Sequence, residues 1–161
     1  MKPSVVLFAI STIVLATPVY AQNCKLTQAV YRDGNGKGFE LVFRPPTSRS
    51  VTVYATAVLR SKSQDELYRF NLSQSQGYGS TSLADTRATS ENWQDNSFII
   101  NFFDSNLKSA SMLLGRESIV PKYAFINGLG SRDYYNRRQS ISESNPLIGD
   151  TMWVFNRCQS R

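Results

Sequence analysis

From Lys25 to Arg32 polar and apolar residues roughly alternate, and Phe39, Leu41 and Phe43 follow at period two. Between them Asp33-Gly34-Asn35-Gly36-Lys37-Gly38 supplies turn chemistry, so the pattern predicts a hairpin. Pro45 and Pro46 end its second strand, because neither can donate to a ladder. Val51 to Arg60 is rich in β-branched residues and sets Val51, Val53, Ala55, Ala57 and Leu59 on one face. Leu67 to Ser73 alternates again, with Tyr68, Phe70 and Leu72 on one side and Arg69 and Asn71 on the other. A strand of that kind has one buried face and one wet face.

Further on, Ser97 to Phe103 and Lys122 to Asn127 read as compact apolar strands, closed by Asp104-Ser105-Asn106 and Gly128-Leu129-Gly130. A last strand runs from about Asp150 to Arg157. Gly77-Tyr78-Gly79 interrupts the middle of the chain, and Leu83 to Asn96, which carries Trp93, shows little periodicity and reads as a long surface connection. Ser131 to Arg138 is expected to form one short helix, with Ser131 as N-cap and Asp133 in the first turn. The expectation is an all-β domain, a small antiparallel β-barrel or sandwich of about seven strands with one short helix.

The N-terminus changes the setting. Lys2, an apolar run from Val5 to Ala16, Pro18 and the small residues around Ala21 have the layout of a secretory signal peptide over residues 1–21, too short to span a bilayer comfortably. A single β domain would then occupy residues 22–161 in the periplasm or outside the cell. In that compartment Cys24 and Cys158, the only two cysteines, are expected to be oxidised and to staple the two ends of the domain. Closing a loop of roughly 135 residues restricts the unfolded ensemble by roughly 4–5 kcal/mol in the chain-entropy model. A terminal staple also makes the first and last strands neighbours, which favours the barrel over the sandwich.

The 161 residues carry a formal charge of +6, and loss of Lys2 with the signal leaves a net +5. There is no histidine, so no side chain titrates unperturbed near neutral pH and no imidazole is available to a metal. Asp33, Asn35 and Gly38 match the start of a calcium loop, but Lys37 and Arg44 stand where further oxygen ligands belong, and a glycine-rich turn explains the same residues. Ser105-Asn106-Leu107-Lys108 has a serine–lysine spacing known from penicillin-binding enzymes without the companion motifs, and reads as a polar turn. Glycoside hydrolysis by paired carboxylates needs no histidine, which leaves Asp104, Asp133, Glu143 and Asp150 as the residual catalytic candidates. The reading is that the protein is not an enzyme and uses no cofactor and no metal.

The most distinctive surface segment joins Arg132, Tyr134, Tyr135, Arg137 and Arg138. Arginine forks bind carboxylate and phosphate, and tyrosine faces stack on sugars and guanidinium groups. These five residues, with Tyr78 as a further contact, are the expected binding site for an anionic envelope component or a protein partner, not for nucleic acid. No transmembrane segment is expected after signal cleavage. In outline, a small exported β domain with cysteines near both ends is similar to inhibitors of secreted lysozymes, although their characteristic loop motif is absent. Inhibition of a secreted hydrolase is therefore the alternative, with an acidic or neutral target, since a +5 chain is repelled by a basic one. A lipophilic ligand inside the barrel is a third possibility, opposed by an interior packed with Phe39, Phe43, Phe70 and Phe102.

Overall fold

The computed structural model describes residues 24–47, 52–75, 79–89, 91–92, 96–110, 120–143 and 145–159. The proposed signal segment, Tyr78 and Trp93 lie outside the described residues. Eight strands form a closed antiparallel barrel in sequence order. They are β1 (Ala29–Asp33), β2 (Glu40–Arg44), β3 (Val53–Arg60), β4 (Glu66–Gln74), β5 (Thr81–Asp85), β6 (Ser97–Phe103), β7 (Tyr123–Ile126) and β8 (Met152–Cys158). A 3-10 turn, Leu26–Gln28, precedes β1, and one helix, α1 (Leu129–Arg137), links β7 to β8. β8 closes on β1 through the register Ala29↔Cys158 to Asp33↔Trp153. Closure leaves no edge strand to pair with another chain.

Most of the strands expected from alternation form, and their apolar faces point inward. Phe39, Leu41 and Phe43 are buried, as are Ala55, Ala57 and Leu59 of β3 and Tyr68, Phe70 and Leu72 of β4. With Tyr31, Leu83, Phe98, Ile100, Phe102, Ile126 and Trp153 they make one core that fills the lumen. Several rings meet edge-on, Phe43 with Tyr31 at 5.8 Å between centroids and Phe70 with Phe98 at 5.6 Å, while Tyr68 stacks on Phe70. Eight strands enclose a space that side chains can fill or that can hold one small ligand, and here buried aromatic and aliphatic side chains gather in it.

Three expectations need correction. The strand count is eight, because Thr81–Asp85 is β5 and not the start of a loop. Its inward positions are Thr81, Leu83 and Asp85, so one leucine between two polar residues carries its apolar face. The period-two signal is lost at that composition, and the ladders to β4 and β6 supply what the pattern lacks. Secondly, the first strand starts at Ala29, since Leu26–Gln28 is a helical turn. Thirdly, α1 begins at Leu129 with Gly128 as its N-cap, and not at Ser131. Gly128 takes φ 78°, a left-handed conformation open to glycine, and Leu129 and Gly130 are buried. A Cβ at Gly130 would collide with the backbone of Gly149 and Asp150, so the returning chain fits only against a glycine. Asp133 consequently lies inside the helix and not in its first turn.

The up-and-down order sorts the connections between two ends. Cys24 and Cys158 are bonded, with Cα atoms 6.1 Å apart, at the end where β8 finishes. A disulfide of this kind forms and persists in oxidising compartments, which fits a non-cytoplasmic protein. No described helix is long and apolar enough to cross a membrane. The opposite end, called the mouth below, carries the β1–β2 turn, the β5–β6 loop and α1 with its return to β8. At the mouth Asp33 accepts hydrogen bonds from the backbone N–H groups of Lys37, Gly38 and Phe39 at 2.6, 3.0 and 2.8 Å. The carboxylate of the apparent calcium loop is thus spent on closing its own turn. Lys37 in turn donates to the carbonyls of Leu147 and Ile148, tying this turn to the segment after α1.

Candidate functional site

Helix α1 lies across the mouth because one carboxylate fastens it there. Asp133 is fully buried and accepts from the Tyr68 hydroxyl at 2.9 Å, from the Ile148 N–H at 2.8 Å and from Arg137 through both Nε and Nη2. Arg137, whose side chain is 14% exposed, also donates to the Asn145 side chain and to the Pro146 carbonyl at 2.9 Å. This fork joins β4, α1 and the 145–148 segment. A buried ion pair is tolerable only when its remaining donors and acceptors are satisfied, and here they are.

Beside this fastening the mouth opens into a pocket of about 460 Å³. Its walls come from β4 (Leu67, Tyr68), the end of β5 and the loop beyond (Asp85, Arg87, Asn92, Asn96), β6 (Phe98) and α1 (Arg132, Asn136, Arg137). Asp85 and Arg87 form a two-point pair with bonds of 3.0 and 2.8 Å, and the Arg87 guanidinium sits 5.6 Å from the centre of the Tyr68 ring. Burial acts to raise the Asp85 carboxyl, but the side-chain and backbone hydrogen bonds from Arg87, with the charges of Arg87 and Arg132, together hold it below the usual carboxylate range. It is ionised at neutral pH. Arg132 is different: it lines the pocket and its side chain has no hydrogen-bond or ion-pair partner among the described residues.

The Tyr68 hydroxyl is pushed up to about 12, first by burial and next by the negative charge of Asp133, against the opposing hydrogen bond of Asn136. An unfolded tyrosine ionises near ~10. The folded pKa is the higher one, so this hydroxyl's contribution to stability is complete below pH ~10 and is lost as pH rises through the folded value. Alkaline absorbance titration should show a late tyrosinate step that disappears in Tyr68→Phe. The variant's unfolding midpoint should also depend less on pH over that window. Coincident titration curves for the two proteins would contradict the assignment.

The five arginine and tyrosine residues expected to act together are divided by the helix. Arg132 and Arg137 face the pocket, and Arg137 is not the solvated cation its sequence suggests, because Asp133, Asn145 and Pro146 hold it. Tyr134, Tyr135 and Arg138 stand outside: the two rings meet edge-on at 5.4 Å, and the Arg138 guanidinium lies 6.0 and 5.7 Å from their centres. They are 46% and 66% exposed for Tyr134 and Tyr135. Among the four acids considered for catalysis, Asp133 is enclosed by its donors, and Asp104 caps its own turn through the N–H groups of Asn106 and Lys108. Asp150 accepts from the Gly130 N–H, and Glu143 is exposed. Among the described residues no group of three or more Cys, Asp or Glu side chains is gathered to hold a metal ion.

Tyr68, Asp85, Arg87, Asn92, Asn96 and Asn136 join the site without having been singled out in the sequence. The Asp85-x-Arg87 spacing was a visible signal for a local ion pair; nothing local marks the others. Comparison with known proteins adds no relative: no family model, no curated protein and no solved structure matches the chain.

Proposed function

We propose that this chain is an exported, non-catalytic binding protein that takes up an anionic component of the cell envelope in the pocket between α1 and the barrel mouth. One observation carries the reading. Arg87 and Arg137 are bonded at two points to Asp85 and Asp133, whereas Arg132, which also lines the pocket, makes no hydrogen bond or ion pair among the described residues and meets Asp85 only through its charge. A guanidinium placed so offers paired donors that suit a carboxylate or phosphate. The amides of Asn92, Asn96 and Asn136 line the same space and suit a ligand rich in hydroxyl or amide groups. The signal-like N-terminus and the disulfide support a setting for this activity in the periplasm or the medium. An interior ligand is the weaker reading, since aromatic side chains occupy the lumen.

The test is calorimetric titration of the mature protein with anionic ligands recovered from envelope extract by pull-down. Hydrogen bonds to charged groups contribute about 1.5–3 kcal/mol, so Arg132→Ala should weaken binding by about tenfold to a hundredfold. Affinity should also fall as salt is raised. Equal affinities for the wild type and Arg132→Ala across every recovered ligand would sink the proposal.

The exposed Tyr134, Tyr135 and Arg138 cluster favours a second reading, a proteinaceous inhibitor of a secreted hydrolase, because tyrosine and arginine commonly anchor protein interfaces. Stoichiometric loss of turnover by an acidic or neutral cell-wall hydrolase is the result that reading requires.

A further inference from the structure

We infer that the ligand is an acidic saccharide chain, with one acidic sugar seated against Arg132 in the pocket and the following sugar laid on Tyr135 outside it. This deepens the anion-binding reading above and rests on it. Residues three apart on a helix are surface neighbours, so Arg132, Tyr135 and Arg138 form one stripe along α1. The stripe starts at a pocket-lining cation and ends on the exposed face, where Arg138 lies against the Tyr135 ring. Tyr135 is 66% exposed, yet its ring meets Tyr134 edge-on and has the Arg138 guanidinium over one face, which leaves the opposite face for a ligand. A braced tyrosine offers a large amphipathic face at small entropic cost, and such a face suits the C–H surface of a sugar ring.

The pocket's own chemistry narrows the choice between envelope anions. Its wholly hydrocarbon walls are Leu67 and Phe98, while three asparagines and three arginines supply the rest together with Tyr68 and Asp85. An acyl chain finds little apolar surface there; a polyhydroxylated ring finds donors and acceptors on several sides. A space of about 460 Å³ is at the small end of ligand sites, so a chain of several sugars has to leave it, and the Arg132–Tyr135–Arg138 stripe is the part of the rim able to meet the emerging rings.

The experiment uses the mature, disulfide-bonded protein and three probes: a hexuronic acid monomer, its tetramer, and vesicles containing phosphatidylglycerol. The tetramer should bind about tenfold more tightly than the monomer. Tyr135→Ala should erase that gain while leaving monomer affinity unchanged, and Arg132→Ala should weaken both saccharides. Tyr135 is 66% exposed and outside the buried core cluster, so its variant is expected to fold, which far-UV circular dichroism checks. Monomer and tetramer binding equally, with Arg132 still required, overturns the chain proposal and leaves the anion pocket standing. Stronger binding to vesicles than to the tetramer overturns it in favour of a lipid phosphate. No Arg132-dependent binding of any probe overturns the inference and the anion-binding reading together.

Discussion

Asp133→Ala should be the most damaging single substitution at the barrel mouth, lowering unfolding free energy by about 3–5 kcal/mol in urea melts. The change strands four donors at once: the Tyr68 hydroxyl, the Ile148 N–H and two nitrogens of a mostly buried Arg137. Losing one partner of a buried pair costs more than losing both, because the remaining charge stays in a poorly solvated place. Arg137→Met in the Asp133→Ala background should therefore restore part of the loss, and the double-mutant cycle should give a coupling of at least about 1 kcal/mol. Strictly additive effects would show that the fork is not the fastening described here. Function should follow stability in this case, because α1 carries Arg132 into the pocket and has Asp133 as its tether to β4.

The second large effect lies at the other end of the barrel. Replacing Cys24 and Cys158 by serine should cost about 2–5 kcal/mol, with the roughly 4–5 kcal/mol of the chain-entropy model for a loop of this length as its idealised upper end. The bond spans a sequence separation of 134, so it restricts nearly the whole described domain in the unfolded state. The barrel itself should survive the change. β1 and β8 pair along five registered residue pairs without help from sulfur, and the Gln159 N–H adds a bond to the Gln28 carbonyl at 2.7 Å. Near-UV circular dichroism should accordingly be retained while the urea midpoint drops and the m-value rises or holds. Identical midpoints for the oxidised protein and the double serine variant would refute the stabilising role.

Legibility in the sequence followed one physical rule. Where a strand buries a continuous apolar face, as in Phe39-Leu41-Phe43 or Tyr68-Phe70-Leu72, period-two alternation is enough, because burial of that face is what forms the strand. β5 broke the rule with a polar residue on either side of Leu83, and it exists because β4 and β6 offer it hydrogen bonds. The start of α1 was misplaced for a related reason. Gly128-Leu129-Gly130 carries the local signature of a break, but packing of Leu129 into the mouth and the close passage of Gly149 and Asp150 past Gly130 hold the turn helical. The candidate site was half legible: residue chemistry drew attention to Arg132, Tyr134, Tyr135, Arg137 and Arg138, and the i,i+4 spacing of Asp133 and Arg137 allows their pairing, but nothing local marked that pair as buried or Arg132 as lining a pocket.

By itself, then, the sequence determined an all-β chain with an antiparallel core, one short helix and two cysteines placed to join its ends, since each of these depends on local periodicity, turn residues or position along the chain. Tertiary structure alone decided that the sheet closes with eight strands, that Asp133 is a buried anchor, and that Arg132 faces a pocket unpaired while Arg137, five residues later, is consumed. Both ion pairs join residues close in sequence, Asp133 with Arg137 and Asp85 with Arg87, but their burial and their remaining partners depend on residues brought in from other elements. Tyr68 from β4 and the 145–148 segment complete the bonding of Asp133 and Arg137 at the mouth.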